Sequence, residues 1–172
     1  MAGRQYEHLM TFPKPSQIHS HDNGRLVFNG MMVRYNDLGY DMTMGHQFVT
    51  KPFVSNNPTH VHNFQEFLAW YGGNPNDPED FGGEVELYMG MELEKYVFTK
   101  PVIVSLPEGL PHCPMAVTRI DRPIIQVEIM LIGADAKRDP VAFDESGGKK
   151  MNDIMNDLLE RVYTKHHLKD RV

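Results

Sequence analysis

Chemistry-bearing residues in this chain gather in two short stretches, Thr59-His60-Val61-His62-Asn63-Phe64-Gln65-Glu66 and Pro107-Glu108-Gly109-Leu110-Pro111-His112. Three imidazoles and a carboxylate form a mixed nitrogen and oxygen set that suits Fe(II), Mn(II), Ni(II), Cu(II) or Zn(II), and affinity order alone does not choose among them. The candidate metal ligands are therefore His60, His62, Glu66 and His112. Spacing then dictates the backbone. Two imidazoles separated by one residue project from the same side of an extended chain, whereas on a helix they diverge by about 200°. His62 and Glu66 are four apart and would share a helix face, as zinc-protease ligands do, but that arrangement excludes His60. Pro58 precedes the pair, and Phe64, Phe67, Trp70 and Tyr71 favour strands up to the Gly72-Gly73 break. The pattern predicts a strand, a tight bend, and a second strand carrying Glu66.

His112 must reach the same point from elsewhere. A β-favouring run over 102–106 leads into a turn where proline fixes φ and Gly109 can take a positive φ, so this turn is expected to aim the histidine. His8, His19, His21 and His46 stand alone and read as ordinary structural residues, and His166 and His167 read as part of a solvated charged tail. Cys113 reads as a small buried residue, because the histidine beside it is committed to metal and no other base is at hand.

The elements that must position this set are short. Residues 1–25 read as an irregular N-terminal arm, with Pro13, Pro15 and the turn-like Asp22-Asn23-Gly24. Over 26–133, β-favouring runs recur at 26–28, 31–35, 45–53, 66–71, 84–89, 96–98, 101–106, 115–120 and 124–132, the signature of a sandwich or barrel. In 84–89, Val85, Leu87 and Met89 share one face. In 124–132 the faces differ: Ile125, Val127, Ile129 and Leu131 lie on one, while Gln126 and Glu128 join Ile124 and Met130 on the other. That mixed face fits either a polar cavity or an outer surface. Residues 134–172 form an extension in which Asp139-Pro140 and Gly147-Gly148 break the chain. Met151, Ile154, Met155, Leu158, Leu159 and Val162 then recur at helical spacing, predicting one amphipathic helix that packs on the barrel or on another subunit.

Bulk properties narrow the function. A chain of 172 residues suits one domain with one good core. Net charge is −6 with scattered basic residues, which excludes a nucleic-acid partner. A single cysteine precludes an intrachain disulfide, and neither a signal peptide nor a membrane-spanning stretch is visible, so a cytoplasmic protein with no membrane partner is expected. The segment 72–83 exceeds a hairpin turn and reads as a solvated loop in preference to a lid.

The two stretches carry a family resemblance. His60-Val61-His62, Glu66 and Gly72 resemble the first cupin motif, and Pro107-Glu108-Gly109 with His112 resembles the second, with similar intervening strands across roughly 45–132. Pro101 stands where that second motif usually opens on glycine, and Ala116 where asparagine is common. The resemblance implies an all-β cupin-type barrel (double-stranded β-helix, or jelly roll) with the N-terminal arm and C-terminal helix appended. It further implies one divalent transition metal on His60, His62, Glu66 and His112, and open coordination positions for a small oxygen-bearing substrate. Glu66 then stays a ligand or detaches to move a proton. Dioxygenase-type catalysis is the first expectation; a non-oxidative isomerase, decarboxylase, lyase or hydrolase is the second, and a non-catalytic binding protein the third. Phe53 and Trp70 are expected to border the substrate pocket, Gln126 and Glu128 to contact the substrate, and a homodimer to form.

Overall fold

The computed structural model describes residues 6, 9–12, 18–22, 26–55 and 57–164. His8, His166 and His167 lie outside these. Twelve strands form two antiparallel sheets. In the first, β1 (Ile18–Asp22), β2 (Leu26–Val33), β3 (Thr43–Val49), β11 (Ile124–Met130), β6 (Glu66–Gly72) and β9 (Val102–Leu106) lie side by side in that order. The second runs β12 (Arg138–Pro140), β5 (His60–His62), β10 (His112–Ile120), β7 (Gly83–Met89) and β8 (Glu94–Phe98), with the two-residue β4 (Phe53–Val54) also on β10. A four-residue helix, α1 (Tyr35–Leu38), links β2 to β3. Among the described residues no helix is long and apolar enough to cross a membrane.

Both sheets turn one face inward. Val49, Leu68, Trp70, Leu106 and Ile124 from the first meet Val85, Leu87, Met115 and Val117 from the second in a single apolar core. Burial of such faces is the main driving term for the fold, about 25 cal/mol per Å² of apolar area. Strand β7 alternates as expected, with Val85 and Leu87 fully buried. Its other face does not meet water: Glu86 and Tyr88 are buried too. They are covered by α2 (Glu145–Leu159) and the π-helical turn Glu160–Thr164 that continues it. Leu158 and Val162 pack with Val54, Tyr88, Leu93 and Ala116, and Met151, Ile154 and Met155 flank them. The predicted helix therefore packs on the outside of the second sheet, with Leu159 at its exposed edge. Gly147-Gly148, expected to break the chain, instead lie in the first turn of α2, where the Asp144 side chain caps the helix by accepting from the Gly147 N–H at 2.7 Å.

Four further expectations need correction. The end of the N-terminal segment, expected to be irregular, supplies β1, paired antiparallel with β2. The runs 26–28 and 31–35 merge into one strand to Val33 followed by α1, and the run 45–53 stops at Val49 because Lys51-Pro52 interrupts it before β4. Beyond Gly133, where no strand was expected, β12 pairs with β5, Arg138 opposite His62. The segment 73–82 leaves β6 at Gly72, the opposite end of that strand from Glu66. It folds back so closely that a Cβ at Gly72 would lie 1.8 Å from the Asp80 carbonyl oxygen. Asp80 accepts from Asn74 at 2.9 Å and pairs with Arg122, and Phe81 is buried in the core. Apart from Phe81 this loop is largely exposed, in keeping with a solvated loop, and it lies away from the histidines.

Candidate metal centre

The site begins with β5. His60 and His62 project from the same side of this three-residue strand, and both are buried. Asn63 and Phe64 make the bend, and Phe64 stacks on the His62 ring at 4.3 Å between centroids. Glu66 then opens β6, facing inward with Leu68 and Trp70.

His112 is aimed by the turn and by a feature that follows it. It is the first residue of β10, paired with His60 on one side and Met89 on the other. Gly109 does adopt φ +77°, and its N–H donates to the His62 carbonyl at 2.8 Å, docking the turn on β5. The phase of His112 relative to the rest of β10 comes from a bulge between His112 and Met115, where Cys113 takes φ +73°. Strict alternation would put His112 and Val117, five residues apart, on opposite faces. The extra residue shifts the phase so that both point inward.

The result is three imidazoles whose nearest nitrogens all lie within 4.8 Å of one another. Ring centroids stand 4.4 Å apart for His60 and His112, and 4.8 Å for each of the other two pairs. Two hydrogen bonds fix tautomers. His60 Nδ1 lies 2.7 Å from the Pro58 carbonyl and His112 Nδ1 2.9 Å from that of Leu110. A carbonyl only accepts, so each Nδ1 carries a proton and each Nε2 is left to face a cation, the arrangement typical of metal-ligating histidine. Glu66 Oε2 lies 3.3 Å from both His112 Nε2 and His62 Nδ1. These contacts miss hydrogen-bond geometry, and Oε2 is a buried acceptor without a donor. Leaving such a group unmatched costs about 1–3 kcal/mol. A ring of lone pairs around an unmatched carboxylate oxygen fits a metal cation.

Electrostatics agree. Burial lowers the pKa of His60 to about 4, with His112, Arg138 and His62 adding repulsion against the Pro58 hydrogen bond. Burial likewise takes His62 to about 4, opposed by Glu66. Both rings are therefore neutral near pH 7, the form that binds metals. Burial alone would raise the Glu66 carboxyl, yet His112, Glu128 and His62 around it hold it below its ordinary range. Glu128 moves the other way. Burial, then the adjacent Glu66 charge and the hydrogen bond to it, push it up to about 8, so it is the protonated partner that donates to Glu66.

A cavity of about 200 Å³ opens onto these groups. Met32, Phe64, Leu68, Met115 and Met130 supply its apolar wall, and Gln126, Glu128, Cys113 and Arg138, with Ser55 and Asn57, its further polar groups. Gln126 and Glu128 are thus placed on the cavity by the mixed face of β11. Phe53 and Trp70 are not: both pack in the apolar core, Trp70 stacked on Phe98. Burial raises the Cys113 thiol to about 12, which leaves it an inert wall residue.

Sequence reasoning missed Phe64 as a support for His62, and it missed Arg138. The latter lies on β12, a three-residue strand among polar residues with no periodicity to betray it. Its place is set by Asn63, whose side chain accepts from the Lys137 N–H at 2.6 Å and donates to the Asp135 carbonyl at 3.1 Å.

Comparisons with known proteins bear on fold alone. No protein-family model matches the chain, and no curated protein matches it in sequence. Among solved structures, the polyketide cyclase RemF from Streptomyces resistomycificus matches with a TM-score of 0.51 at 12% identity, over 83% of this chain and 93% of that one. A sugar phosphate isomerase of the cupin superfamily from Silicibacter pomeroyi matches at TM-score 0.47 and 15% identity, over 69% and 68%. The oxalate decarboxylase of Bacillus subtilis matches at 0.46 and 13%, over 77% of this chain, which spans only 32% of that protein.

Proposed function

From the premise that this chain is a cupin in its fold, we propose that it is a metal-dependent enzyme acting on a small oxygen-bearing organic substrate. The observation that supports this reading above others is the convergence of His60, His62 and His112 on a buried Glu66 oxygen that has no donor. His60, His62, Glu66 and His112 would hold one divalent first-row ion. When bound, the ion supplies Lewis acidity, or a site for O₂ beside a chelated substrate. A structural metal is usually enclosed by four ligands and often by sulfur; here a cavity of about 200 Å³ leads to the ligands.

The chain's own residues then have distinct tasks. Pro58 and Leu110 carbonyls hold the His60 and His112 rings in one tautomer, and Phe64 fixes the plane of His62. The methionines and Leu68 exclude water around the substrate's apolar part. Gln126 and Glu128 offer polar contacts. Glu66 and Glu128 share a proton between adjacent carboxyls, so Glu66 can accept one from a substrate while Glu128 returns one.

Dioxygenase-type oxidation is the first form of this proposal. The carboxyl pair favours a second, non-oxidative form, proton transfer in an isomerase, lyase or decarboxylase, because it moves protons without needing an oxidant. Turnover of candidate acids and enols by metal-loaded protein, with and without O₂, separates the two. Turnover that stops under anaerobic conditions supports the oxygenase, and turnover that continues supports proton transfer. Protein purified without chelator that contains no stoichiometric metal would sink both. We also propose a homodimer, supported by Met44, Phe48, Tyr71, Ile103 and Leu131, large apolar residues exposed on the first sheet or, for Leu131, just past the end of β11; sedimentation as a monomer at micromolar concentration would remove it.

A further inference from the structure

Arg138 is the cation of the cavity, and its surroundings say what it is for. Arg119 pairs with Asp121, Arg122 with Asp80, and Arg161 with Glu86 and Asp157. Among the described residues Arg138 has no carboxylate within ion-pairing distance. Its side chain has His60 Nδ1 within hydrogen-bond range, 3.1 Å from Nη2. That nitrogen already donates its proton to the Pro58 carbonyl at 2.7 Å, so a donor faces a donor and the exposed guanidinium, though its charge is felt by Glu128, is left without an acceptor among the described residues.

The position is built. Besides the two Asn63 side-chain bonds, the Asn63 N–H donates to the Lys137 carbonyl at 3.3 Å, and the Val141 N–H to that of Thr59 at 3.1 Å. Arg138 is thereby held in register with His62, exposed to solvent yet lining the cavity. The positive charge of a divalent ion and Arg138 together exceeds what Glu66 and Glu128 bring, even with both ionised. A site with that surplus, walled by Met32, Phe64, Leu68, Met115 and Met130, is matched by an organic anion.

We propose that Arg138 is a specificity-determining residue that takes the carboxylate of a small, partly apolar carboxylic acid, whose second oxygen function faces the three histidines. The planar guanidinium fork accepts a carboxylate through two parallel N–H donors, which a lysine ammonium does not reproduce. An apolar cavity of about 150 Å³ holds benzene, so the volume here admits a body of about that size with its acid group. The second anchor rests on the metal reading; the Arg138 contact does not.

The test uses two matched pairs as probes, pyruvate with hydroxyacetone and salicylate with 2-hydroxybenzyl alcohol. Their binding is followed by calorimetry on metal-loaded and metal-stripped protein, with metal content measured in parallel. Wild type should prefer at least one acid over its alcohol by about tenfold or more, as a charge-assisted fork predicts. Arg138→Ala should lose that preference, Arg138→Lys should regain part of it, and metal content should stay unchanged in both. Equal acid binding by wild type and Arg138→Ala, or no acid preferred by wild type, overturns the proposal. A wild type that binds no metal overturns the metal reading instead, and the acid preference of that same protein still decides the role of Arg138.

Discussion

Two buried glutamates, Glu66 on β6 and Glu86 on β7, have opposite fates. Both are almost inaccessible to water. Glu86 is saturated: Arg161 donates to both its oxygens at 2.9 and 2.8 Å, Lys95 stands 2.9 Å from Oε1, and the Tyr88 hydroxyl donates to Oε2 at 3.4 Å. Glu66 sits instead among imidazole nitrogens with one oxygen unmatched. Charge burial is costly in either place. At Glu86 the chain answers it with its own cations, which tie the C-terminal turn to the barrel. At Glu66 the chain supplies one neutral donor, Glu128, and no cation, while Oε2 meets only imidazole nitrogens, so the answer to its charge must come from outside. A buried carboxylate surrounded by donors is a joint; one surrounded by lone pairs is a ligand.

That contrast fails if metal binding does not depend on the acceptor ring, which makes the histidines its hardest test. His60→Ala and His112→Ala should each reduce bound metal from about one ion per chain to essentially none, since three remaining donors with a hole in the ring no longer enclose an ion. Elemental analysis reads this directly. Glu86→Ala should leave metal content unchanged; loss of metal there would erase the distinction between joint and ligand.

The stability effects should reverse that order. Glu86→Ala strands Arg161 and Lys95 over a buried surface. Breaking such a pair costs about 3–5 kcal/mol when fully buried. Arg161 and Lys95 retain 27% and 41% exposure, which water screens, so about 2–3 kcal/mol is expected, or roughly 5–10 °C in Tm. Glu66→Gln should shift the Tm of metal-stripped protein by less than about 1 kcal/mol equivalent, because the new amide can donate to the nitrogens that Oε2 only faced. The same substitution should weaken metal binding about tenfold or more, the size seen for partners even beyond the ligands themselves. A large destabilisation by Glu66→Gln without metal would show that Glu66, too, is a joint.

Much of this contrast was legible before any coordinates. The His60, His62, Glu66 ladder follows from side-chain alternation, and a period of two admits no other backbone for His-x-His. The mixed face of β11 revealed Gln126 and Glu128 as a pair, although alternation alone does not tell inside from outside. The remainder depends on long-range pairing. Arg138 reaches the cavity only because Asn63, 74 residues before Lys137, fastens β12 to β5. Bulky Trp70 and Phe53 looked like pocket walls because aromatic size fits a binding site as well as a core. The Glu86 cluster was invisible because its charged partners come from β8 and from the turn after α2. The turn before His112 was legible in Gly109, but the bulge after it was not, because a bulge shifts phase by one residue without any local composition signal.

Acidification should separate the two glutamates' neighbourhoods, with the smallest effect expected. In metal-stripped protein His60 and His62 have pKa values of about 4 against an ordinary 6.5. The unfolded chain therefore takes up protons first as pH falls, and stability should decline between 6.5 and about 4. Glu86 is held below its ordinary value of 4.5, because Arg161 and Lys95 outweigh the burial that would raise it. Its contribution is present above that value and is lost as pH falls through the depressed one, a lower window than the histidines occupy. Thermal melts of stripped protein against pH should show both declines. Replacing His60 and His62 together should reduce the upper one, and Glu86→Gln should reduce the lower one, to which the likewise depressed Glu66 also contributes. Glu128, pushed up to about 8, works in the opposite sense over the same range, so the decisive comparison is with the double histidine variant: a wild-type curve that matches that variant's between 6.5 and 4 would mean that the imidazoles are not held neutral by burial, and that the acceptor ring around Glu66 is not preformed.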